Sequence, residues 1–159
     1  MNEHSYIPEF DTPFSFVQRP NALPADLRPI WKVSVILLIL LKCCRAGRST
    51  LQRVHVLNWA IRNKESREDF KHVVQGKLEP GDVIVRYEPG LHRAIDFALG
   101  QKLLSRIGGD RVQLTATGRS YARKLTANDC LEVEKEFLDV LKMTVTEERI
   151  EQIVYMVGA

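Results

Sequence analysis

The stretch Leu91–Leu125, LHRAIDFALGQKLLSRIGGDRVQLTATGRSYARKL, changes its hydrophobic period twice within 35 residues. Leu91, Ala94, Ile95, Ala98 and Leu99 fall at i, i+3, i+4, i+7 and i+8, the spacing of one buried helical face. From Leu103 to Ile107 the period drops to two. Gly108-Gly109-Asp110 then supplies residues that tolerate positive φ in a short turn, and Arg111-Val112-Gln113-Leu114 returns in alternation. Thr115 is a good N-cap, so a further helix is expected straight after the hairpin.

A helix running directly into so short a hairpin, with a second helix behind it, predicts a winged helix-turn-helix. Upstream, Pro29 suits a first helical turn and opens an apolar helix to about Arg45, ended by Gly47. Ser49 or Thr50 caps the next helix, whose stripe is Leu51, Val54, Leu57 and Ile61, with Arg53 and Arg62 facing away. Ser66 caps a weaker helix over Arg67–Gln75. Val83–Tyr87, rich in β-branched residues, is available to the hairpin as a third strand. Downstream, amphipathic helices are expected over Asn128–Met143 and Glu147–Val157. The fold class is mainly α with a small β-sheet. The chain divides into a proline-rich N-terminal arm (1–28), a winged-helix domain (29–126) and an acidic helical C-terminal extension (127–159).

With 159 residues, 45% of them hydrophobic, the chain can close one core of ordinary size. The nine apolar residues Val33–Leu41 are bracketed by Lys32 and Lys42, too short for a membrane span of about 20 residues. The first thirty residues carry Glu3, Glu9, Asp11 and Asp26 and lack an apolar core, so no secretory leader is expected. Cys43, Cys44 and Cys130 show neither ligand spacing nor a disulfide framework, which makes a reducing cytoplasm the default.

Net charge is +3, but it is segregated. Residues 42–126 hold seventeen Lys/Arg against eight Asp/Glu, whereas residues 127–159 hold three against eight. Such a basic middle follows nucleic acid or an acidic partner, and the acidic tail is placed to cover it in cis. Residues 1–29 hold five of the seven prolines, which forbid a continuous helix there. Tyr6, Phe10, Phe14 and Phe16 interleave with them, giving an extended strap able to lay aromatics on its own domain or on a partner.

No catalytic constellation stands out. His4, His55, His72 and His92 fall in four different segments, none at ligand spacing from a Cys or carboxylate. No GxSxG, HExxH or Walker pattern occurs. No enzyme activity, cofactor, metal or small-molecule substrate is expected. The helix in the DNA-reading position offers His92, Arg93, Asp96, Gly100, Gln101 and Lys102, only mildly basic and with Asp96 opposing phosphate. Arg106 and Arg111 on the wing, and Arg119, Arg123 and Lys124 behind it, are cations for phosphate contact or for pairing with the acidic tail. Phe97 lies just beside the apolar stripe, where it either extends the core or serves a protein interface.

Leu114-Thr115-Ala116-Thr117-Gly118-Arg119 resembles the L-T-x-x-G-R exit of the wing in many bacterial winged-helix regulators. A wider resemblance spans roughly residues 10–125. The proline-rich start, the aliphatic helix, STLQRVHVLNWAIRN (Ser49–Asn63), VIVRYEPGLHRAIDFALGQKLL (Val83–Leu104) and the wing look like the middle component of three-component ABC-ATPase systems. They also resemble the accessory subunit of Lamassu-type antiphage systems.

That resemblance implies a non-enzymatic, cytoplasmic scaffold joining an SMC-like ATPase to an effector nuclease, with double-stranded DNA as a further contact and no membrane. Phe10, Phe14, Phe16, His92 and Phe97 would then bind protein partners. Arg93, Lys102, Arg106, Arg111, Arg119 and Arg123 would face DNA or acidic protein. The alternative is a winged-helix transcriptional regulator, dimeric through its terminal helices.

Overall fold

The apolar run that has no polar face in sequence becomes the axis of the molecule. The computed structural model describes Pro24, residues 27–83 and residues 85–157, the last three as backbone alone. Helix α1 spans Pro29–Cys43, and every residue from Trp31 to Leu40 is buried. Helices α2 (Leu51–Ile61), α4 (Pro89–Gly100), α5 (Ala116–Ala127) and α6 (Glu132–Leu141) all pack against it. At about 2 kcal/mol per fully buried aliphatic side chain, this one helix supplies much of the driving force for folding. Helix α3 (Lys64–Val74) lies against α2, and α7 (Glu147–Val157) reaches α2 through the turn at Pro80–Asp82.

The small sheet is antiparallel, in the order β1–β3–β2, with β1 at Arg48–Thr50, β2 at Leu104–Arg106 and β3 at Arg111–Leu114. Ser49 faces Val112 and Leu104 faces Leu114, all buried, so the sheet turns one side to the core. The hairpin forms where sequence placed it: Gly108 (φ +99°) and Gly109 (φ +55°) take the positive-φ positions of the turn.

The third strand is a correction. Val83 and Val85 are buried, but no described residue from Val83 to Tyr87 joins a ladder. The edge of β3 is taken instead by Arg48–Thr50, which the turn at Arg45–Gly47 delivers directly from the end of α1. The chain before Pro89 is extended because proline disfavours the helical region in its predecessor, not because a partner strand holds it.

Local caps explain most boundaries. Thr50 caps α2 by accepting from the Arg53 N–H, and Thr115 caps α5 by accepting from the Gly118 N–H at 3.0 Å. Asn63, not Ser66, caps α3: its side chain accepts from the Ser66 N–H at 2.8 Å, so that helix starts three residues earlier than expected. Helix α6 begins at Glu132 rather than Asn128, after Leu131 with φ +56°. Helix α1 ends at Cys43, ahead of Arg45.

The six-residue hairpin exit works as a joint. Leu114 is buried. The Thr115 N–H and hydroxyl both donate to the Leu103 carbonyl at 3.1 Å, Gly118 lets α5 approach that same carbonyl, and Arg119 Nη2 donates to the Ala46 carbonyl at 3.0 Å. The acidic extension is fastened to α1. Trp31 Nε1 donates to Glu134 at 3.1 Å, Lys42 pairs with Asp139 at 2.6 Å, and Phe137 meets Phe70 edge-on at 6.5 Å between ring centres.

Candidate docking groove and arginine strip

Two chemically opposite surfaces flank the hairpin. The first is a groove of about 590 Å³ between α1, α4 and α5. Ile30, Phe97 and Tyr121 rim it at 69%, 56% and 52% exposure, over a floor of Val33, Leu37 and Leu103. Phe97 therefore does not extend the core. It sits one residue from the buried Ala98, rotated outward by the helical repeat. The groove carries a single cation, Lys124, whose ammonium lies 5.5 Å from the centre of the Tyr121 ring. Large apolar side chains gathered on one face are the composition of an interface core.

The second surface is a strip of guanidinium groups beside the hairpin. Arg45, Arg48, Arg53 and Arg111 line one recess with Ile107 and Glu147. Arg45 and Arg53 continue into a neighbouring recess with Thr146, Glu147 and Glu148. Arg111 donates from both terminal nitrogens to the two Glu147 oxygens, at 3.0 and 2.7 Å, a fork-to-fork ion pair. That bond, with the charges of Glu147, Asp110 and Glu151, raises the Arg111 pKa further.

Arg53 overturns an expectation: it does not face away. It is 6% exposed, and one terminal nitrogen donates to the Cys43 carbonyl at 2.5 Å while its Nε has no hydrogen-bond partner. The end of α1 meets that side of α2, which the one-face reading of the helix had assigned to water.

The other sequence candidates scatter. Arg93 and Lys102 are exposed on α4 and its exit, and Arg123 is exposed on α5. Arg106 approaches Asp96 at 3.9 Å, so the acid in the middle of α4 meets the first strand of the hairpin. Arg119 is half-buried and held by the Ala46 carbonyl, a structural tie in place of the free cation expected. Phe10, Phe14 and Phe16 lie outside the described residues. Arg45, Arg48 and Arg53 were missed because only the fold brings their segment beside Arg111.

The histidines also converge where sequence separated them. The buried His55 ring lies 4.6 Å from that of the exposed His92 and 4.9 Å from Tyr87. Its Nε2 has no partner. Burial, and then His92, push its pKa down to about 4, with Glu88 pulling weakly upward. Among the described residues no group of three His, Cys, Asp or Glu is placed to hold a metal ion, and no helix is long and apolar enough to cross a membrane. The chain matches no family model, no curated protein and no solved structure.

Proposed function

We propose that this chain is a non-enzymatic, cytoplasmic winged-helix subunit of a bacterial SMC/ABC-type antiphage defence complex, bridging the ATPase to its effector and touching duplex DNA. The order α1–β1–α2–α3–α4–β2–β3, with β1 on the outer edge of β3, supports the winged-helix reading. The observation that carries the function is the groove. The helix in the DNA-reading position presents Phe97 beside Asp96, over a surface shared with Ile30 and Tyr121. An aromatic and a carboxylate at that place suit a protein partner better than a phosphate-lined groove.

The test is co-expression with a coiled-coil ATPase and an effector from the same operon. The three chains purify together, and Phe97→Ala with Tyr121→Ala removes this subunit while its own unfolding transition is retained. A complex that survives both substitutions rejects the groove as the docking site.

A second reading, a DNA-binding regulator, draws on His92, Arg93, Gln101 and Arg123, all exposed on or beside α4. It requires the isolated chain to select one duplex sequence over others, with affinity falling steeply as salt rises.

A further inference from the structure

The Arg111–Glu147 pair joins two parts of the chain whose charges are otherwise segregated, and its geometry is that of a guanidinium gripping two oxygens of one acid. A phosphodiester presents the same pair of oxygens to the same fork. Arg45 and Arg48 stand exposed on the adjoining turn and strand, and Arg53 lies beneath them with its Nε unsatisfied. Glu147 lines both recesses, so the carboxylate that grips Arg111 borders the other three arginines as well.

We infer that Arg45, Arg48, Arg53 and Arg111 form a binding strip for the phosphate backbone of duplex DNA, which Glu147 occupies as an internal phosphate mimic until a DNA strand displaces it.

Three features favour DNA over an acidic protein surface. All four cations are arginines, the residue whose planar fork matches phosphate oxygens. The recess they line has one apolar member, Ile107, whereas a protein interface centres on apolar and aromatic side chains. The strip also borders the projecting Gly108–Asp110 tip, so a rod-shaped ligand meets wing and strip together.

Displacement asks little of the fold. Helix α7 is anchored by buried Ile150 and Ile153, and Arg149 Nη2 donates to the Val74 carbonyl at 2.6 Å. Glu147 is the first residue of that helix, with its side chain 27% exposed, so it can rotate away while α7 stays docked. Glu151, one turn on, keeps a weaker claim on Arg111. The inference rests on the DNA contact in the proposed function but not on the ATPase docking, so loss of duplex binding and loss of co-purification are read separately.

The experiment is fluorescence anisotropy of a labelled random-sequence duplex with the full chain, titrated at several salt concentrations. Glu147→Gln removes the competing charge and tightens binding about two- to fivefold, the worth of one exposed ion pair. Glu136→Gln, exposed on α6 and outside both recesses, changes net charge equally and has a smaller effect. Arg45→Ala with Arg48→Ala weakens binding and lowers the salt slope by about two.

Equal gains from Glu147→Gln and Glu136→Gln would overturn the mimic, leaving only bulk charge. An unchanged slope in the double-arginine variant would overturn the strip. If Glu147→Gln enhances binding to poly-glutamate but not to duplex, the ligand class is wrong. Matching thermal transitions show that each variant is folded before its binding is compared.

Discussion

Replacing Gly118 by alanine isolates one close approach on which the hairpin exit depends. An alanine Cβ there would stand 1.9 Å from the Leu103 carbonyl oxygen and 2.8 Å from its carbon, where 3.0 Å is already closer than real Cβ atoms come. Relief requires a separation of more than 1 Å, and both colliding groups are main chain, so no side chain can swing aside. Overpacking of this kind costs roughly 1–3 kcal/mol. Moving Leu103 also weakens the bonds its carbonyl accepts from Thr115, about 1 kcal/mol more. Alanine in a helix interior returns about 1 kcal/mol over glycine. The loss wins, leaving a net destabilisation of about 1–3 kcal/mol. For a chain of 159 residues that corresponds to a fall in Tm of roughly 3–9 °C.

Gly100, the last residue of α4, is the matched control. Nothing lies within 4 Å of its Cβ position and its φ is not positive, so Gly100→Ala gains about 0.5 kcal/mol. Thermal and urea unfolding followed by circular dichroism report both. If the two variants shift in the same direction, the close contact at residue 118 is not what shapes this joint.

Further outcomes follow from buried polar groups. His55 has a folded pKa near 4 against 6.5 for a free imidazole, so the unfolded chain binds the extra proton between those values. Stability is therefore full above pH 6.5 and falls as pH drops towards 4. At about 1.4 kcal/mol per unit, the loss is bounded near 3 kcal/mol. His55→Phe flattens that window in urea titrations, and an identical pH profile in the variant would refute the assignment. Lys32, 4% exposed, pairs at 2.5 Å with Glu88, whose second oxygen has no partner. Lys32→Met costs about 3 kcal/mol, and adding Glu88→Gln recovers more than half of it in a double-mutant cycle, unless the carboxylate is not stranded by the first change. Burial pushes the Cys43 thiol up to about 12 and raises that of Cys44, whereas Cys130 is exposed. Iodoacetamide on the native chain should mark Cys130 alone by mass spectrometry; comparable labelling of Cys43 would contradict its burial.

What was legible in sequence was what neighbours along the chain decide. The period change around Leu91–Leu114, the two glycines of the turn and the Thr115 cap are local, and each holds. The errors share one cause. Val83–Tyr87 has strand composition, yet a ladder needs a free edge at the right place, and Arg48–Thr50 reaches β3 first by leaving α1 through a tight turn. Arg53 lies off the apolar stripe of α2, but its bond to the Cys43 carbonyl at the end of α1 draws it inward. The nearness of His55 to His92 is likewise a product of packing, invisible to any spacing rule.

The charge pattern gains meaning only when it is resolved helix by helix. Sequence opposes a basic middle to an acidic end as two blocks, which would cancel without detail. In the structure the acidic end splits. Glu134 and Asp139 of α6 turn to Trp31 and Lys42 on α1, far along the chain from the wing, and serve attachment. Glu147 and Glu151 of α7 turn to Arg111. Attachment and charge cover are thus carried by different helices, and α7 is held down by Ile150 and Ile153 irrespective of where the Glu147 side chain lies. A cover whose anchor is apolar can yield its charge to a competing anion without unfolding, whereas one anchored by the same ion pair could not.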